Sequence, residues 1–207
     1  LLEANSVTEI GLLQAGWFPV TAENQARIEL RGLITLRGPL RPTAMTGGQI
    51  DLSGLKGLWS CQGFSYEGVM KIEREGSIVC PGLTDLDTVA VELDSADGIA
   101  TSQWKSLLRG SLNLTGAQPD FSNLANAEDT DLQLLDGAVL RLPALRELRG
   151  RNPDWQASGL GTRIEARQLT SLALTTDGWF PVLAENDAII DLGGLVSLRG
   201  PLRPTAT

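Results

Sequence analysis

Residues 16–45 read GWFPVTAENQARIELRGLITLRGPLRPTAM, and residues 178–207 read GWFPVLAENDAIIDLGGLVSLRGPLRPTAT. The two stretches lie 162 residues apart and differ at eight of thirty aligned positions. The match extends upstream, where Leu2, Glu3, Ala4, Val7, Thr8, Ile10 and Leu12 align with Ile164, Glu165, Ala166, Leu169, Thr170, Leu172 and Leu174. Self-similarity at a fixed period decides architecture ahead of any local signal, because a recurring unit is built to stack on copies of itself. The chain of 207 residues is one 162-residue unit plus the first 45 residues of the next, so 1–45 and 163–207 are equivalent segments. It reads as a single continuous array and as a window from a longer repetitive protein.

A shorter period lies inside the long one. Apolar residues fall at Ile28, Leu30, Leu33 and Leu36, and the same spacing returns at Ile50, Leu52, Leu55 and Leu58. It continues at Ile78, Cys80, Leu83 and Leu86, then Ile99, Thr101, Trp104 and Leu107, with a degenerate copy from Pro119 through Phe121 and Leu124 to Ala127. Leu140, Leu142, Leu145 and Leu148 follow, then sets beginning at Ile164 and Ile190. Counted from Leu2, the starts fall at 2, 28, 50, 78, 99, 119, 140, 164 and 190, so seven coils fill one unit.

Two apolar residues separated by one polar residue lie on the same face of a strand, and the pair that follows, often containing Gly, is turn chemistry. The glycines are expected at corners, where positive φ is useful. A second alternating fragment follows in several coils: 91–93, 112–114, 132–134 and 155–157, ended by corners such as 94–98 and 115–117. Residues 64–72 alternate as well and read as an extended strand inserted into one coil. The expected fold class is all-β, a parallel β-solenoid of the right-handed β-helix type, about seven coils per unit. The competing solution is a leucine-rich-repeat-like solenoid, which demands an Asn column and a helical return that this sequence lacks. In the β-solenoid register Leu30, Leu52, Leu142 and Leu192 point inward while Glu29, Asp51, Arg141 and Asp191 face out.

Composition narrows the function classes. Seventeen basic against twenty-five acidic residues give a net charge of −8, with no clustered basic stretch interleaved with aromatics, so nucleic acid is not an expected partner. No apolar run is long enough to span a membrane, and the first residues lack the basic start of a signal peptide. There is no His, which removes the commonest acid-base residue and metal ligand together. No phosphate-binding glycine pattern appears.

The repeated coils with Gly-rich corners resemble the β-helical repeats of large bacterial cell-surface and secreted proteins, the adhesin-like or filament-forming kind. The resemblance covers the whole chain and is architectural. It implies an extracellular, load-bearing or adhesive role, with no catalytic residues to carry over.

Several residue groups are candidates for chemistry. The second position of each coil is often acidic, at Glu3, Glu29, Asp51, Asp120, Glu165 and Asp191, interrupted by Val79, Ala100 and Arg141. The expected role is a solvated face with lateral partners such as Arg31 and Arg167; a Ca²⁺-bridged ladder is the alternative. Glu128, Asp129 and Asp131 form the densest acidic cluster, and with Asp120 they suggest either a metal site or the carboxylates of a polysaccharide-cleaving β-helix; an ordinary charged corner is the simpler account.

Trp104 belongs to a core column. Trp155 and Trp179 open corresponding strands and are candidates to stack, either as packing or as an exposed sugar platform. Cys61 and Cys80 are candidates for a disulfide or for two free buried thiols.

The function these features support is a non-catalytic structural segment of a long extracellular fibre, sheath or cell-surface stalk, self-assembling with further copies of the repeat, with no cofactor. An isolated piece with uncapped ends is expected to aggregate. A carbohydrate-binding or polysaccharide-processing β-helix, with an extracellular polysaccharide as partner, is the alternative.

Overall fold

The computed structural model describes residues 1–11, 16–94, 98–175 and 178–207. Residues 95–97 of the expected 94–98 corner lie outside the described residues. The chain winds through about nine turns of a β-solenoid, its strands all pairing in parallel and no helix among the described residues. That absence removes the leucine-rich-repeat alternative, whose return side needs helical turns.

The coils build three faces. The first face carries the coil starts, with strands Leu2–Glu3, Arg27–Glu29, Gln49–Asp51 and Ser77–Val79, resuming at Val139–Arg141, Arg163–Glu165 and Ile189–Asp191. The second runs through Glu9–Gly11, Thr35–Arg37, Lys56–Ser60, Gly82–Asp87 and Ser106–Leu108, then Glu147–Gly150, Ser171–Leu174 and Ser197–Arg199. The third is one uninterrupted nine-stranded sheet from Phe18–Ala22 to Leu202–Ala206. It contains Val89–Leu93, Ser111–Thr115, Asp131–Leu135 and Trp155–Ser158, where the second alternating fragments were expected.

The register follows the predicted starts: Leu2 pairs with Ile28, Ile28 with Ile50 and Ile50 with Ile78, and later Leu140 with Ile164 and Ile164 with Ile190. The first-face ladder lapses around the coils starting at Ile99 and Pro119. Proline there has no N–H to donate. Single bonds bridge the gap, from Ile78 N to Gly98 O at 2.8 Å, Thr101 Oγ1 to Asp120 O at 2.6 Å and Val139 N to Ala117 O at 3.1 Å.

The turn between the second and third apolar positions closes in the same way in coil after coil. Leu33 N donates to Leu30 O, Leu55 N to Leu52 O, Leu145 N to Leu142 O and Leu195 N to Leu192 O, at 2.9–3.3 Å. The Gly at this turn is required by crowding and not by the positive φ expected of it. A Cβ on Gly54 would lie 2.1 Å from the Arg31 carbonyl of the coil below, and one on Gly194 would lie 1.9 Å from that of Arg167. Positive φ is instead used at the corner between the second and third faces, at Gly38 (φ 101) and Gly200 (φ 103).

Leu30, Leu52 and Leu142 are buried with Ile50, Ile164, Leu55 and Leu145 in one continuous core, and Leu192 packs against it half-buried in the last coil. Two expectations fail in the coil starting at Ile50. Leu58 is 52% exposed and Trp59 is fully buried in its place, because a bulge shifts the register so that Trp59 pairs with Leu86. The irregularity falls between Leu83 and Asp85, which pair with Gly57 and Leu58 and leave Thr84 without a partner in the ladder. The other correction concerns 64–72: only Gly68–Glu73 is strand, and it is a regular member of the third face, with the insertion confined to the preceding corner.

Candidate functional site

The acidic column of the first face is built by its turns. Asp51 Oδ1 accepts from Ser53 N at 3.0 Å, Asp120 Oδ1 from Ser122 N at 2.9 Å and Asp191 Oδ1 from Gly193 N at 2.9 Å. In each case the short acid caps the turn two residues on. The expected solvated face is incorrect for two of its members. Glu29 and Asp51 are 8% and 9% exposed, because Arg27 and Arg31 close over them. Arg27 Nε lies 2.8 Å from Glu29 Oε1, and Arg31 reaches Glu29 Oε1 at 3.1 Å and Asp51 Oδ2 at 2.7 Å.

Burial raises the Asp51 carboxyl, but the hydrogen bonds from Ser53 and Arg31 outweigh it and leave it below its ordinary value. Arg167, the other expected partner, holds Asp191 at 2.6 Å and keeps that carboxyl low too. Arg141 pairs with Glu165 at 3.3 Å.

The Glu128, Asp129 and Asp131 cluster does not converge on a common point. Asp129 Oδ1 accepts from the backbone N–H of Arg151 and of Asn152, and Asp131 Oδ1 accepts from Asp154 N at 2.9 Å. Both carboxylates therefore hold the next coil's corner in place. Glu128 instead lines a shallow groove with Asn126, Glu147 and Arg149. Burial pushes the Asp131 carboxyl up, with Asp154 and Asp129 adding repulsion. Asp120 serves its own turn on the first face. Among the described residues no group of three or more metal-ligating side chains gathers in one place.

Ion pairs that the sequence did not signal lie on the outer surfaces of the other two faces. Asp87, 5% exposed, meets Arg109 at 2.7 Å, and Lys71 bridges Glu73 and Glu92 at 2.9 and 3.0 Å. Lys71, Glu92, Asn113, Gln133 and Gln156 form a polar column in register along the third face. Shallow clefts flank it. One is lined by Glu92, Asp94 and Thr115, the other by Ser111, Asp131 and Asp154.

Three tryptophans, Trp59, Trp104 and Trp155, are fully buried. The stacked Trp155 and Trp179 pair does not form, because Trp155 aligns with Val182 and packs edge-on against Phe180 at 5.2 Å. Trp179 stands 44% exposed beneath Arg203, whose guanidinium carbon is 4.2 Å from the ring centre. Its equivalent Trp17 is 48% exposed, with Arg41 at 4.7 Å. Packing accounts for Phe180 in this motif, and not for the indole beside it.

Cys61 and Cys80 are both free and buried. The Cys61 thiol donates to Gly38 O at 3.1 Å. Burial pushes Cys61 up to about 11 and Cys80 up to about 12, far from a reactive thiolate at neutral pH.

Among the described residues no helix is long and apolar enough to cross a membrane. Comparison with family models, curated proteins and solved structures gave no match.

Proposed function

We propose that the chain is a structural repeat segment of a long extracellular fibre, sheath or cell-surface stalk of the adhesin kind, without catalysis, whose partners are further copies of the same repeat. One observation carries this reading: the join between units is built like the joins within a unit. Leu140 pairs with Ile164, Leu148 with Leu172 and Trp155 with Val182, with no offset at the boundary. Past it the pairing of 180–184 with 202–206 repeats that of 18–22 with 40–44 residue for residue.

A solenoid coil contacts only its neighbours, so units that keep their register extend a rod without needing a new interface. Leu2, Val7 and Phe18 line an apolar recess of about 590 Å³, whereas their equivalents Ile164, Leu169 and Phe180 are fully buried under the coil starting at Leu140. The non-catalytic reading is supported by Asp51 and Asp131, whose carboxylates are engaged in a turn, an ion pair and the next coil's corner.

The reading is tested by immunogold electron microscopy of the source cells with antibodies against this chain. Label along surface filaments or an outer sheath is the expected result. Label confined to the cell interior contradicts it.

A further inference from the structure

We propose that Trp17 with Arg41, and Trp179 with Arg203, are two equivalent binding sites for an acidic polysaccharide, one in each copy of the repeat. The first support is exposure. In a chain that buries three tryptophans completely, these two stand 48% and 44% exposed at matching corners of the third face.

The second support is what changed between the copies. Six of the eight differences, Thr21 to Leu183, Gln25 to Asp187, Arg27 to Ile189, Arg31 to Gly193, Ile34 to Val196 and Thr35 to Ser197, fall at positions exposed in the first copy. Six of the thirteen positions exposed in the first copy have therefore changed, the arginines over Glu29 and Asp51 among them. The exposed indole and its arginine are unchanged in both copies.

The third support is charge. Among the described residues Arg27, Arg31, Arg109, Arg141, Arg149 and Arg167 each have a carboxylate partner, and Arg41 and Arg203 are among the eight arginines that have none. The Arg41 Nε is buried without any hydrogen-bond partner. In a chain of net charge −8, two unneutralised guanidiniums held over exposed rings are places where an anion is drawn in.

An acidic sugar matches both halves of such a site. The apolar C–H face of a pyranose lies on the part of the indole that the guanidinium leaves exposed, and a uronate carboxylate accepts N–H bonds from the terminal nitrogens of the guanidinium. Stacking on the ring pre-orients the guanidinium and reduces the entropy lost on binding. The two sites are seven strands apart, roughly 34 Å, within reach of one polymer, so each strengthens the other by effective concentration. Asp131 and Asp154 lie on the intervening coils of that face, so the polymer is held at the two arginine ends and not along the sheet between them.

The test is affinity electrophoresis of the whole chain in gels containing polygalacturonate, with dextran as the neutral control. The native chain should be retarded only by polygalacturonate, and less so as salt rises. The double variant Trp17→Ala/Trp179→Ala should lose at least about ten-fold in apparent affinity, more than Trp179→Ala alone. A readout without variants is acrylamide quenching of tryptophan fluorescence: polygalacturonate should shield the exposed pair and leave the buried three unchanged. Equal retardation by dextran, no retardation, or an unaltered double variant with unchanged quenching would overturn the proposal. A single chain suffices for both measurements, so their outcome is independent of whether units form a fibre.

Discussion

Arg31 Nε donates to Asp51 Oδ2 at 2.7 Å, closing a guanidinium over a carboxylate that stands between the two inward residues Ile50 and Leu52. The same carboxylate holds its own turn through Ser53 N, so one side chain ties two neighbouring coils and shapes a corner.

That arrangement fixes a pH dependence. The folded-state Asp51 carboxyl lies below its ordinary value, so the stability it contributes is complete above the unfolded range near about 4 and is lost as pH falls through the folded value. Asp51→Asn should cost about 1–2 kcal/mol at pH 7 and less at pH 3, measured by thermal melts. An equal loss at both pH values would show that the charge is not what matters.

Leu52→Asp should be far more damaging. Leu52 is fully buried beside Ile50 and Leu55, so a carboxylate there has no partner and costs several kcal/mol, a large part of a domain's margin. Circular dichroism should show partial unfolding or aggregation. A Leu52→Asp chain that melts within a few degrees of the native one would reject the register.

Asp129 and Asp131 should respond in opposite ways. Asp129 accepts two backbone N–H groups of the next coil, and Asp129→Asn should cost about 1 kcal/mol. The folded Asp131 carboxyl is raised, so its charged form is a burden at neutral pH that is relieved as pH falls toward its unfolded value. Asp131→Asn keeps an acceptor for Asp154 N and should be neutral or stabilising at pH 7. Neither change should abolish any release of oligosaccharides from acidic polysaccharides.

Trp155→Ala and Trp179→Ala separate core from surface. Trp155 is fully buried against Phe180 across the boundary between units, so truncation should cost about 3–5 kcal/mol. Trp179 is half-exposed, and its loss should cost less than about 1 kcal/mol. Denaturant melts giving equal losses would mean that the exposed indole is a structural clamp.

The coil starts and the inward positions of Leu30, Leu52 and Leu142 were legible because period-two alternation and a turn of fixed length set which side chains face inward. The register shift between the strands Lys56–Ser60 and Gly82–Asp87 was not, since Leu58 and Trp59 are equally apolar on paper and only the pairing with Leu86 chooses between them. Nor was the closure over Glu29 and Asp51. Arg31 was expected as a lateral partner, but the burial depends on Arg27 and Arg31 each bridging Glu29 of their own coil to Asp51 of the next, a contact that spacing along one coil does not encode. The exposure of Trp17 and Trp179 was hidden by the apolar residues beside them, of which Phe180 does enter the core.

The most direct test of the account is the distance across one full unit. Thr43 and Thr205 occupy the same outward column of the third face, seven strands apart. Spin labels at these two positions, in a chain whose two cysteines are replaced by alanine, report that span by pulsed electron resonance. At about 4.8 Å per strand, a solenoid whose register is unbroken through the unit boundary predicts one narrow distribution centred at roughly 34 Å. A broad distribution, or a centre below about 25 Å or above about 45 Å, would contradict the continuous stack.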